Sequence, residues 1–140
     1  MRFNWKNNLS VGMLLFLLIP AFGQGKKAIR EKGIVSKTVQ EYFIEEGLDK
    51  PVVESIEKYN EGGELVEIQE FNRSGEVKRW ERYTYNLDGE LVEEVFLDHK
   101  GRVVRTEKTI YEEGLKVEKR YFNRRDKLYK KKVYLYEYHQ

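Results

Sequence analysis

Tyr59-Asn-Glu-Gly-Gly-Glu-Leu-Val-Glu67 decides the fold, because it returns as Tyr85-Asn-Leu-Asp-Gly-Glu-Leu-Val-Glu93 with seven of nine positions unchanged. Looser copies follow the same plan: Phe71-Asn-Arg-Ser-Gly-Glu-Val77, Leu97-Asp-His-Lys-Gly-Arg-Val103 and Phe122-Asn-Arg-Arg-Asp-Lys-Leu128, with a unit of 12 to 14 residues. Asn or Asp in the first turn position and Gly in the fourth suit a type I turn closed by a left-handed residue, the common short β-hairpin. The turn residues are thus Asn60 and Gly63, Asn72 and Gly75, Asn86 and Gly89, Asp98 and Gly101. Gly114 sits in a shorter fifth turn, Tyr111-Glu-Glu-Gly-Leu115.

Outward from these turns, runs rich in Val, Ile, Thr, Tyr and Phe predict strands at 34–45, 52–59, 64–71, 76–85, 90–97, 102–111, 115–122 and 128–138. The expectation is an all-β, antiparallel up-and-down meander of about eight strands, either an open twisted single-layer sheet or a partly closed barrel. Closure would remove the exposed edges. The turn geometry sets Tyr59 against Leu65, Phe71 against Val77, Tyr85 against Leu91, Leu97 against Val103 and Phe122 against Leu128. Carried outward, the same register predicts an apolar row Ile56, Ile68, Trp80, Phe96, Val104. It also sets Ile110 against Val117, Val117 against Val133 and Tyr121 against Tyr129, and brings together the carboxylates Glu67 with Glu81 and Glu93 with Glu107.

The chain has 140 residues, enough for one domain. Residues 1–23 read as a cleaved secretory signal: Arg2 and Lys6, an apolar run from Val11, then Pro20 and Ala21-Phe22-Gly23. The run is shorter than the roughly 20 apolar residues that span a bilayer. Residues 24–33 read as a loose polar leader, and 34–140 as the hairpin-repeat domain. Past residue 23 the chain holds 24 basic and 24 acidic residues, which argues against a nucleic-acid partner. There is no cysteine, so thiol catalysis, thiolate metal sites and disulfides are excluded.

The repeats resemble the tyrosine-aspartate repeats of the Rhs class and other short hairpin-repeat proteins exported by bacteria, over about residues 52 to 138. That resemblance implies an exported scaffold or binding surface and no catalytic residues. His99 and His139 have no ligand spacing, and Ser36, Ser55 and Ser74 have no histidine placed as base, so no metal, cofactor or enzymatic activity is expected. The ten tyrosines all follow the signal. Tyr83, Tyr85, Tyr134, Tyr136 and Tyr138 form the candidate binding surface, since tyrosine offers large contact area at low entropic cost.

The reading is an exported (periplasmic or extracellular), non-enzymatic repeat scaffold that binds a protein or peptide through a sheet face or edge, without a stable membrane span. The alternatives are a carbohydrate-binding module for an envelope polysaccharide, using the exposed aromatics, and a self-assembling sheet in which acidic first strands meet basic last strands of another copy.

Overall fold

A computed structural model describes residues 22–46 and 50–139. The expected signal up to residue 21, and Gly47, Leu48 and Asp49 of the first connection, lie outside the described residues. The order is α1 (Phe22–Glu31), β1 (Ser36–Glu41), a 3₁₀ turn (Ile44–Glu46), β2 (Val52–Tyr59), β3 (Leu65–Phe71), β4 (Val77–Tyr85), β5 (Leu91–Leu97), β6 (Val103–Glu112), β7 (Leu115–Asn123) and β8 (Leu128–Val133). The strands form one antiparallel sheet in sequence order, β1 through β8, open at both ends. The meander is therefore an open sheet and not a barrel. The first strand is shorter than 34–45, and the last stops at Val133 rather than 138.

Residues 22–31 are helical where the sequence reading placed a loose leader. Two glycines, Gly23 and Gly25, weaken its intrinsic propensity, but its end is well closed. Ile34 N–H donates to the Ile29 carbonyl at 3.0 Å and Gly33 N–H to the Arg30 carbonyl at 3.1 Å, with Gly33 at φ 62°. This is the paired C-terminal closure that a glycine past the last turn permits.

In the turns, Gly63, Gly75 and Gly89 donate back to Asn60, Asn72 and Asn86, and Gly101 to Asp98, at 2.9–3.1 Å. Asn or Asp oxygens accept from the backbone two and four residues on, as in Ser74 N–H and Glu76 N–H to Asn72. Asp126 takes the glycine position of the last such turn, at φ 56°.

All five turn-flanking pairs form as expected, from Tyr59 against Leu65 to Phe122 against Leu128. Beyond them the expected register fails, because each hairpin carries a bulge one step out. Ile56 opposes Gln69, Ile68 opposes Glu81, and Phe96 opposes Glu81 and Arg105, so the single apolar row does not exist. The two-residue turn at Glu113-Gly114 forms, but a bulge sets Ile110 against Glu118. Glu118 rather than Val117 faces Val133, and Tyr121 faces Lys130 rather than Tyr129. Nor do the expected carboxylate pairs form, since Glu67 faces Arg82 and Glu93 faces Lys108. A bulge sets two residues against one, which accommodates the apolar doublets Leu65-Val66, Leu91-Val92 and Val103-Val104.

The consequence is a sheet whose two faces both mix apolar and charged rows. Among the described residues only Ile68 and Tyr121 are buried large apolar side chains, and none is fully enclosed. Charged stems take the place of a second layer by lying over the aromatic rings. The Arg105 guanidinium sits 3.9 Å from the centre of the Phe96 ring and Arg73 4.0 Å from Phe43. Lys108 covers Phe122 at 5.5 Å on the other face.

This pairing makes a direct prediction. Phe96→Ala and Arg105→Ala, measured singly and together, should couple by about 0.5–1 kcal/mol in urea unfolding. Ile68→Ala and Trp80→Ala, whose side chains occupy opposite faces, should add; coupling there would restore the unbulged register.

Candidate functional site

Helix α1 lies across the face that carries Glu57, Ile68 and Glu81, against the turn between β2 and β3. It leaves a cleft of about 610 Å³ between Ile29 and the sheet. The cleft floor holds Tyr59, Tyr83 and Tyr85, with Leu65, Ile68 and Leu91 between them. Their hydroxyls are already committed. Tyr83 donates to Glu81 at 2.6 Å and accepts from Arg79 at 3.2 Å, Tyr85 donates to the Leu65 carbonyl at 2.9 Å, and Tyr59 donates to Glu57.

Burial, then the hydrogen bonds to Glu81 and Glu57, push the Tyr83 and Tyr59 hydroxyls well above the ordinary tyrosine value. Burial alone would raise the Glu81 carboxyl, but hydrogen bonds from Arg79 and Tyr83 outweigh it and hold it low. The phenols of Tyr59 and Tyr83 thus stay neutral and the Glu81 carboxylate stays ionised near neutral pH.

At the other end of the sheet the same face carries the row Tyr83, Glu94, Glu107, Tyr121, Lys130 across β4 to β8. Glu94 and Glu107 are directly opposite, an arrangement that is unfavourable for like charges. Lys119 resolves it, with its Nζ 2.7 Å from a carboxylate oxygen of each. Burial would lower the Lys119 ammonium, yet the two carboxylates raise it well above the usual lysine value. This bridged pair is the carboxylate encounter of the sheet, displaced by one residue from the Glu93 and Glu107 pair read from the sequence.

Beyond it the surface turns basic. Tyr121 is buried under lysines, with Lys130, Lys119 and Lys132 ammonium groups 4.3, 5.7 and 5.8 Å from its ring centre. Lys131, between them in sequence, points to the other face and reaches Glu118 at 3.5 Å. Every residue of β8 is exposed.

The backbone of β8 is half unpaired. Tyr134 N–H donates to the Val117 carbonyl at 3.0 Å. In an antiparallel ladder such bonded pairs alternate with unbonded ones. With Glu118 facing Val133 and Arg120 facing Lys131, the N–H and C=O groups of Lys131 and Val133 point outward, away from β7. Exposed apolar side chains flank them: Leu128, Tyr129 and Val133 on the strand, and Leu135 just beyond.

The five tyrosines of the candidate surface fall in two places. Tyr83 and Tyr85 are half-buried on β4 beneath α1, whereas Tyr134, Tyr136 and Tyr138 follow β8, with β5, β6 and β7 between. Tyr136 hydroxyl donates to the Lys116 carbonyl at 2.6 Å, Lys116 lies 5.8 Å from the Tyr134 ring, and Tyr138 is exposed. Sequence reading missed the bridging Lys119 and the outward-facing backbone of Lys131 and Val133. The three consecutive lysines were the visible signal, but only the ladder shows which of their backbone groups are free. Among the described residues no helix is long and apolar enough to cross a membrane. Neither a protein-family model nor a curated protein sequence matches the chain.

Proposed function

We propose that the chain is an exported, non-enzymatic repeat scaffold that binds a protein or peptide partner by strand addition at the edge of β8. The observation that carries this reading is the open edge itself. Lys131 and Val133 present unpaired backbone donors and acceptors, beside lysines on both faces and exposed Leu128 and Tyr129. An added strand gains affinity from main-chain hydrogen bonds and specificity from alternate side chains. Its residues would face Lys130 and Lys132 on one side of the sheet and Lys131 on the other, so the partner segment is extended and acidic. Export rests on the signal-like first 23 residues.

The test is fluorescence anisotropy with a labelled peptide of alternating glutamate and valine. Saturable binding that weakens as salt rises is expected, because the charges are exposed and screened. Lys131→Pro, which removes an outward N–H and leaves the ladder to β7 intact, should abolish it. Equal binding by a lysine-for-glutamate peptide, or no binding by either, would overturn the reading.

A further inference from the structure

The cleft between α1 and the sheet has room for a ligand, and the groups in its wall decide which kind. Its volume, about 610 Å³, falls within the roughly 300–1,000 Å³ typical of small-molecule sites. Ile29 on one side and Leu65, Ile68 and Leu91 on the other give it an apolar lining, with the rings of Tyr59, Tyr83 and Tyr85 between them.

The polar groups of the wall are unequal in what they can still bind. All three phenol protons are engaged within it, on Glu57, Glu81 and the Leu65 carbonyl. The carboxylates are engaged too. Glu64 accepts from Lys26 through one oxygen and from Asn60 through the other, both at 2.8 Å. Glu57 accepts from Tyr59 and pairs with Lys37 at 2.8 Å. An ammonium carries three N–H donors, so contact with one carboxylate leaves Lys26 and Lys37 with donors to spare.

Exposure points the same way. In each ion pair at the cleft the cation is the open partner and the carboxylate the recessed one: Lys26 and Glu64 side chains are 45% and 14% exposed, Lys37 and Glu57 50% and 18%, Arg79 and Glu81 42% and 14%. An entering molecule therefore meets apolar and aromatic surface edged by positive charge. A sugar, which needs acceptors for its hydroxyl protons, meets carboxylates that are recessed and already bonded. A cationic ligand meets three exposed cations, whereas an anion is complementary to them.

From this wall we infer that the cleft binds a small amphiphilic carboxylate, with its apolar body between Ile29 and the tyrosine floor and its anionic head on the spare N–H donors of Lys26 and Lys37. Ile29 and Lys26 belong to α1 and the floor belongs to the sheet, so the ligand ties the helix to the strands beneath it. The site is separate from the β8 edge and does not depend on peptide binding there. A fatty acid and an aromatic acid share the required chemistry.

Methyl NMR of the full chain, labelled at isoleucine and leucine, tests this with laurate and 2-naphthoate as probes. Either should shift the methyls of Ile29, Leu65, Ile68 and Leu91 saturably, and the tighter of the two identifies the body as an aliphatic chain or an aromatic ring. Dodecylamine, with a similar tail and a cationic head, should bind at least about tenfold more weakly than laurate. Lys37→Gln, at an exposed position of β1, should weaken the better probe by about three- to fivefold, and Lys37→Arg should restore it. Leu91→Trp should fill the cleft and abolish the shifts.

No shift with either probe overturns the inference, as does equal affinity for dodecylamine and laurate. Shifts confined to Leu128 and Leu135, at the β8 end, would place the binding on exposed apolar side chains and overturn it too. Should Leu91→Trp fail to fold, Lys37→Gln decides alone, and unchanged affinity in that variant removes the charge argument.

Discussion

Lys119→Met should cost about 2–3 kcal/mol of unfolding free energy, the largest loss expected from any single surface-facing residue of the sheet. The figure lies below the usual range for breaking a buried ion pair, because a sheet one layer thick lets water approach. The reason is geometric. Glu94 and Glu107 face each other across β5 and β6, and the Lys119 ammonium at 2.7 Å from each is what makes their proximity tolerable. Methionine keeps most of the volume and removes the charge, leaving two carboxylates opposed with side chains only 20% and 9% exposed.

Urea unfolding at neutral pH measures the loss. Adding Glu107→Gln to the variant should recover much of it by removing the repulsion, a coupling that additive effects would contradict. The pH dependence follows from the sign of the shift. The lysine is raised above its unfolded value, so its contribution is complete below about pH 10. It disappears as pH climbs beyond that, so the gap between wild type and Lys119→Met should close in strong alkali. A gap unchanged there would mean that lost packing, not charge, is responsible.

Gly63→Ala is the second large effect, and it should release α1. Gly63 has φ 78°, and a Cβ built on it would lie 2.5 Å from the Lys26 carbonyl oxygen and 3.1 Å from the Arg30 backbone nitrogen. Neither atom is the movable end of a side chain, so the helix must lift. The Lys26 ion pair to Glu64 at 2.8 Å would be lost with it. In Glu64 the hydrogen bond from Asn60, followed by that from Lys26, holds the carboxyl below its ordinary value.

Gly75→Ala provides the comparison. Gly75 has φ 83° with open space around its absent Cβ, so it carries only the backbone strain of a left-handed residue, about 1 kcal/mol. Amide exchange over residues 26–34 should accelerate strongly in Gly63→Ala and stay unchanged in Gly75→Ala. Equal protection in both would show that α1 does not depend on this contact.

These two sites illustrate what could be read in advance. The order of eight strands, their meander connection and the five pairs beside the turns follow from local chemistry, since Asn or Asp, Gly and the flanking apolar residues act within seven positions of one another. The interior register does not. A bulge one step beyond each turn changes the partner of every later residue by one, and whether it forms depends on how the apolar doublets seat against the neighbouring strand. That is why Ile68 and Trp80 were read onto one face and lie on two. The helix was equally hidden, because its glycines argue against it and its stability comes from docking on Gly63. One local sign was present, Gly33 followed by Ile34, the pair that closes its last turn.

For the candidate site, the lysines of β8 and the opposed charges of the two halves were legible in composition, whereas the free edges were not. By itself the chain determined the hairpins, because a turn is a contact between near neighbours. Only the tertiary structure decided that the sheet stays open, that Lys119 bridges Glu94 and Glu107, and that the outward backbone of β8 belongs to Lys131 and Val133. Each of these depends on cross-strand register, which sums small shifts over many residues and is settled only when all eight strands lie side by side.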